Sequence, residues 1–124
     1  MLLPAQNRRR AVHVQIVNFN LKDMTDAEFR SMANEAAPAF ASVPGLLGKL
    51  WLADDGKNTY GGVYLWQDAA AMRAYLASDL GKGVTGNPSF ANLTSSDFEM
   101  LSGPTGGSGG PVAASLMAAA GVAS

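Results

Sequence analysis

The spacing of apolar and polar positions divides the chain into segments of two different periods. Residues 12–19 (VHVQIVNF) are rich in β-branched side chains and predict a first strand. Thr25 then opens a helix: Glu28, three positions on, makes a capping box, and Ala27, Phe29, Met32, Ala33, Ala36 and Phe40 recur at helical spacing. Pro38 is expected to kink that helix, and Val43-Pro44-Gly45 to end it. Residues 46–53 predict a second strand, residues 54–58 (DDGKN) have hairpin-loop composition, and residues 59–66 predict a third strand antiparallel to the second. Asp68 can cap a second helix reaching about Ser78, with Met72, Tyr75 and Leu76 on its buried face. Residues 79–91 are interrupted by Gly81, Gly83, Gly86 and Pro88, which predicts an irregular connection with no more than a helical turn. Residues 92–101 close as a fourth strand. The segment SGPTGGSGGP that follows reads as a linker, and the Ala-rich residues 112–120 as a short helix.

The resulting order, β-α-β-β-α-β, predicts an α+β ferredoxin-like antiparallel sheet with its helices on one face. It occupies residues 12–103, between an N-terminal tail (1–11) and a Gly/Ala-rich C-terminal tail (104–124). The second sheet face is left bare, and its residues are not uniformly polar. Position parity assigns Val17, Phe19, Val63 and Leu65 to it, opposite Asn18 and Trp66, so a second copy of the chain is expected to pack sheet against sheet. His13 shares the parity of Val17 and falls on that same face.

Composition changes the picture mainly by exclusion. With 124 residues, 48% of them hydrophobic and 15% charged, the chain suits one soluble domain and has no room for a second catalytic one. A net charge of −1 and a pI near 5.6 draw it towards neither nucleic acid nor an anionic membrane, and Arg8-Arg9-Arg10 reads as a solvated tail. The absence of cysteine removes disulfides, thiolate metal sites and cysteine nucleophiles, and fits a reducing compartment. Met1-Leu2-Leu3-Pro4 is too short for a signal-peptide core and no apolar run is long enough to span a membrane, so the expected location is the cytoplasm.

Two motif-like features carry little chemistry. Residues 81–86 (GKGVTG) spell G-x-G-x-x-G, but they follow a helix and run into Asn87-Pro88, where a dinucleotide site needs a strand before and a helix after. Asp97 and Glu99 share a face of the last strand without an evident partner for acid–base work.

The stretches NFNL (18–21), APAFASVPGLLGKLWLAD (37–54), TYGGVYLWQD (59–68) and ANLTSSDFEML (91–101) resemble the YdhR-like mono-oxygenase family of the dimeric α/β-barrel superfamily, which includes the antibiotic-biosynthesis mono-oxygenases. The likeness covers about residues 12–104. It implies a homodimeric barrel with a site inside each monomer, between the sheet and its helices. Heme-degrading members of the superfamily resemble the chain at Asn18 and at Trp66, but their iron-ligating histidine falls near Thr85, which cannot ligate iron; no heme, other cofactor or metal is expected. Quinone-forming members carry an Asn where this chain has Gly62. Gly61-Gly62 either leaves room for a flat ligand lying on the backbone or marks a bulge or a close approach of chains.

The resemblance therefore implies a cofactor-independent mono-oxygenase, or a related tailoring enzyme, acting on a flat aromatic or polyketide-like small molecule. In it, Trp66 would be the pocket wall and an N–H donor, Asn18 the amide that holds a substrate oxygen, and Tyr64 a second hydroxyl. Phe40, Gly62, Tyr75 and Leu76 would complete the substrate pocket. A binding module without turnover, or a cyclase or isomerase of polyketide-type intermediates, would use the same pocket. No general base is evident, because His13 is assigned to the far face.

Overall fold

The computed structural model describes residues 11–121. They form strand β1 (His13–Leu21), helix α1 (Asp26–Ala41), strand β2 (Leu46–Asp54), a 3-10 turn (Asp55–Lys57), strand β3 (Thr59–Trp66), helices α2 (Ala69–Ala77) and α3 (Asp79–Thr85), strand β4 (Phe90–Glu99), and helices α4 (Ser102–Gly107) and α5 (Pro111–Ala119). The sheet order is β2-β3-β1-β4, every neighbour antiparallel, which is the expected ferredoxin-like arrangement. Arg8-Arg9-Arg10 lies outside the described residues. No helix among them is long and apolar enough to cross a membrane.

Local chemistry sets most boundaries. The Thr25 hydroxyl accepts the Glu28 N–H at 3.1 Å while the Glu28 carboxylate accepts the Thr25 N–H at 2.8 Å, which closes the capping box. Helix α1 continues through the exposed Pro38 to Ala41. Asn58, left-handed at φ 49°, turns the β2–β3 hairpin, and its amide bonds both backbone groups of Leu21, tying the turn to the end of β1. Asp68 accepts the Ala71 N–H at 2.8 Å and starts α2.

Three expectations are corrected. Residues 79–85 form helix α3, because Ser78 caps it and Gly81 lets it fold back on the end of α2: a Cβ at Gly81 would stand 2.1 Å from the Tyr75 carbonyl oxygen. The linker-like segment is helical over Ser102–Gly107, and α5 packs Met117 against Val12 and Met100. The third correction concerns the faces. Register pairs Val17 with Gly62 and Phe19 with Tyr60, so odd positions of β1 share a face with even positions of β3. Gln15, Val17, Phe19, Tyr60, Tyr64 and Trp66 are thus buried under the helices, and His13 lies on that side as well, not on the bare face. Val63 and Leu65 do occupy the bare face, together with Val14, Ile16 and Asn18. Parity is exact within a strand, but between strands it depends on a register that position numbers do not contain.

Candidate functional site

Between the covered face of the sheet and helices α1 and α3 lies a cavity of about 210 Å³. Its wall holds six aromatic rings in two contacting groups. Phe19 stacks on Phe90 at 3.9 Å between centroids and meets Phe29 edge-on at 5.9 Å. Phe40, from the last turn of α1, meets Trp51 at 5.3 Å and Tyr64 at 6.2 Å. Small residues of α1 and α3, Ala36 and Gly83 among them, leave the volume between the groups open.

Lys49 projects into this apolar setting. It sits on β2 two positions from Trp51 and opposite Tyr64, and therefore on the covered face. Its Nζ lies 3.3 Å from the Trp51 ring centroid, 3.5 Å from that of Phe40 and 4.6 Å from that of Tyr64. Among the described residues no carboxylate forms an ion pair with it. Burial pushes the amine down to about 7, since a charged ammonium loses its water there. The ring faces favour the ammonium by an amount on the order of 1 kcal/mol, too little to offset that loss. Gly62 is what admits the lysine arm: a Cβ there would stand 3.0 Å from Lys49 Cε and 3.2 Å from the Leu50 carbonyl oxygen. Gly61 answers to a different need, because a Cβ on it would overlap Val17 O at 1.8 Å. The adjacent glycines thus serve a close chain approach and a side-chain channel respectively.

Behind the wall, aromatic rings fix Tyr64. Its ring lies parallel to Trp66 at 5.9 Å, and its hydroxyl stands 3.3 Å from that of Tyr75. Burial pushes the pKa of both tyrosines up, which keeps the hydroxyls protonated. The Trp66 N–H donates to Gln15 Oε1 at 3.0 Å, and Gln15 Nε2 donates to Ser95 Oγ at 3.1 Å. Gln15 and Trp66 are completely buried and fully partnered.

Among the residues singled out from sequence, Phe40, Gly62 and Tyr64 line the cavity. Trp66 and Tyr75 stand behind Tyr64 in the core, and Leu76 packs against the core outside the cavity wall. The expectation that the Trp66 N–H serves a substrate is corrected, because Gln15 takes it. Asn18 is corrected too: it shares the bare face with Gly61 and donates to the Tyr60 carbonyl at 3.4 Å, so its amide cannot reach the cavity. His13 pairs with Asp97 at 2.6 Å and does not line the cavity. Thr85 bonds the Gly81 carbonyl at 3.3 Å. Among the described residues, no three His, Asp or Glu side chains group closely enough to hold a metal ion.

Sequence reasoning did not single out Lys49 or Gln15. For Lys49 a signal existed: it is the lone charge in LLGKLWLA and shares strand parity with Trp51. Gln15 likewise shares parity with Val17 and Phe19, the polar member of a buried row.

Known structures repeat this architecture. SnoaB from Streptomyces nogalater, a cofactor-independent oxygenase, superposes with a TM-score of 0.61 at 24% identity, over 73% of this chain and 94% of that one. The heme-degrader MhuD from Mycobacterium tuberculosis gives 0.59 at 22% identity, over 72% of this chain and 95% of that one. NE2512 from Nitrosomonas europaea, a protein of unknown function, gives 0.63 at 18% identity, over 75% and 92%. No curated protein matches the chain by sequence. Residues 14–110 match the family described as putative mono-oxygenase ydhR, most of the length of the chain, and the protein belongs to that family.

Proposed function

We propose that the protein is a cofactor-independent mono-oxygenase acting on a flat aromatic or polyketide-like small molecule held in the cavity between the sheet and α1 and α3. The observation that carries this reading is an aromatic cavity with a lysine amine in its wall and buried tyrosine hydroxyls behind it. A planar molecule slides between Phe19, Phe29 and Phe90 on one part of the wall and Phe40, Trp51 and Tyr64 on another. The apolar surroundings exclude water, which strengthens any charge interaction inside. A substrate carbanion conjugated with a carbonyl reduces dioxygen by itself. Overall, a ring methylene and one dioxygen become a ring carbonyl and one water, with no external reductant. The protein's part is to hold the ring, keep water out, and place a positive charge beside the enolate and then the peroxide. Tyr64 offers the substrate its ring, while its hydroxyl, paired with that of Tyr75 at 3.3 Å, and the parallel Trp66 ring keep it in position. SnoaB, a cofactor-independent oxygenase on the same fold, supports oxygenase chemistry without a cofactor for this chain.

The bare sheet face supports a homodimer. Leu50, Val63 and Ile16 form an apolar row across three strands, beside Leu65 and Val14. A second copy covering this row completes the barrel and leaves each cavity within its own protomer.

The test is oxygen uptake with an anthrone as probe. Consumption of one dioxygen per anthrone, with the quinone and water as products, supports the reading. Binding of the anthrone with its recovery unchanged in air would instead make the protein a binding module, and rearrangement without oxygen uptake an isomerase.

A further inference from the structure

We propose that Lys49 is the proton acceptor of this cavity, and that the site takes planar molecules bearing an acidic C–H or O–H conjugated with a carbonyl, neutral in water, and converts them to their anions. This rests on the mono-oxygenase reading for what happens after the anion forms, and not for the proton transfer itself.

The geometry points to a base. Lys49 Nζ lies in the cavity wall, held between the rings of Trp51 and Phe40, in the slot that Gly62 leaves open. A lysine beside a carboxylate stays charged and has no lone pair to offer. Among the described residues none pairs with Lys49, whereas Arg30 on α1 has Asp26 at 2.8 Å. Among the described residues, the titratable groups facing the cavity are Lys49, Tyr64 and the exposed Asp79 at the start of α3. Tyr64 keeps its proton, and Asp79 forms no ion pair with the amine. Near neutrality the amine is partly free, the condition a general base requires.

The step balances. The Nζ lone pair takes the substrate proton and the C–H electron pair becomes the enolate, leaving ammonium and anion in contact. One electron passes from the anion to dioxygen and the radicals combine, forming a C–O bond. The peroxide oxygen takes the proton back from the ammonium. The resulting hydroperoxide loses water as its O–O bond breaks and the second C–H pair becomes the carbonyl bond. Lys49 ends as it began. Among the described residues the cavity wall holds no other cation to attract a preformed anion, which suits a neutral substrate.

The experiment mixes protein and an anthrone without oxygen and follows the visible absorbance of the anthrone anion, with binding read separately from tryptophan quenching. Wild type is expected to develop the anion band with a midpoint near pH 7. Lys49→Met and Lys49→Arg should bind the probe without the band and lose roughly a hundredfold or more in kcat, with KM much less affected. A second measurement needs no ligand: after reductive methylation with labelled formaldehyde, the Lys49 carbon resonance, assigned by its loss in Lys49→Met, should titrate near neutrality. A titration like that of an exposed lysine overturns the proposal, as does an anion band of full size in Lys49→Met. So does a borohydride-trapped adduct on Lys49, which would make the amine a nucleophile towards carbonyls. Lys49-dependent ionisation without oxygen uptake would leave the base in place and remove the mono-oxygenase reading. Oxygen uptake equal in wild type and Lys49→Met would do the reverse.

Discussion

At the scale of single residues, the site depends on what two neighbouring glycines leave out. Gly62→Ala places a methyl group 3.0 Å from Lys49 Cε, and the flexible lysine arm must shift by a few tenths of an ångström. The fold should survive, while displacement of the amine should lower kcat of oxygen uptake about tenfold or more. Gly61→Ala meets backbone at 1.8 Å, where nothing can yield, and should cost about 1–3 kcal/mol in urea unfolding. Lys49 itself predicts a pH dependence of stability. Below pH 7 the lysine is protonated in both folded and unfolded chains, and its burial cost is present in full. Between about 7 and 10.5 the unfolded chain binds a proton that the folded one has lost, so stability rises with pH across that range. Lys49→Met, which buries no charge, should therefore be more stable than wild type at pH 6, with the gap shrinking by pH 9, as read from urea midpoints. Only part of this is legible in the sequence. Phe40, Gly62 and Tyr64 can be picked out by type and parity, whereas Asn18 goes to the wrong face, because numbering alone cannot give the β1–β3 register. The significance of Lys49 depends on burial by Phe40 from another element, which strand periodicity does not contain.

At the scale of elements, boundaries are readable wherever a side chain bonds its own backbone. Thr25, Asp68 and Asp54, which accepts the Lys57 N–H in the β2–β3 turn, are local devices, and the structure shows each where the residues imply it. Helix α3 is not readable, because its glycines argue against a helix by about 1 kcal/mol each and its stability comes from packing on α2. That conflict yields a paired prediction. Nothing lies within 4 Å of a Cβ added at Gly83, so Gly83→Ala should stabilise the fold by about 0.5–1 kcal/mol by helix propensity alone. Because Gly83 lines the cavity, the same methyl should weaken anthrone binding. Gly81→Ala should do the opposite to stability, since its methyl would strike the Tyr75 carbonyl oxygen at 2.1 Å and push α3 outward. Thermal unfolding and probe affinity, measured on the two variants side by side, separate helix propensity from packing. Equal effects on both would mean that α3 is not held by contact with α2.

For the whole molecule, the deciding feature is the asymmetry between the sheet's faces. The covered face holds the aromatic core and the cavity. The other presents Ile16, Val63 and Leu65 half-buried and Leu50 and Phe98 more than half exposed, at 58% and 56%. Helix α5 shields only the end of that face near Val12, Val14 and Met100. Contiguous apolar surface of this kind is unusual on a protein that works alone. Two copies related by a twofold axis would bury it from both sides with one set of contacts. Leu50 is the informative position: it lies on edge strand β2, side chain outward, so a charge there costs the isolated protomer little. In a twofold dimer the same change enters the interface from both copies, where a carboxylate loses water without gaining a partner. Wild type should therefore sediment as a dimer at micromolar concentration, and Leu50→Glu as a monomer with an unchanged circular dichroism spectrum. Because the cavity is built from one chain, the monomeric variant should still bind the anthrone. A wild type that sediments as a monomer would overturn the dimer, and a Leu50→Glu dimer would place the contact elsewhere on the surface.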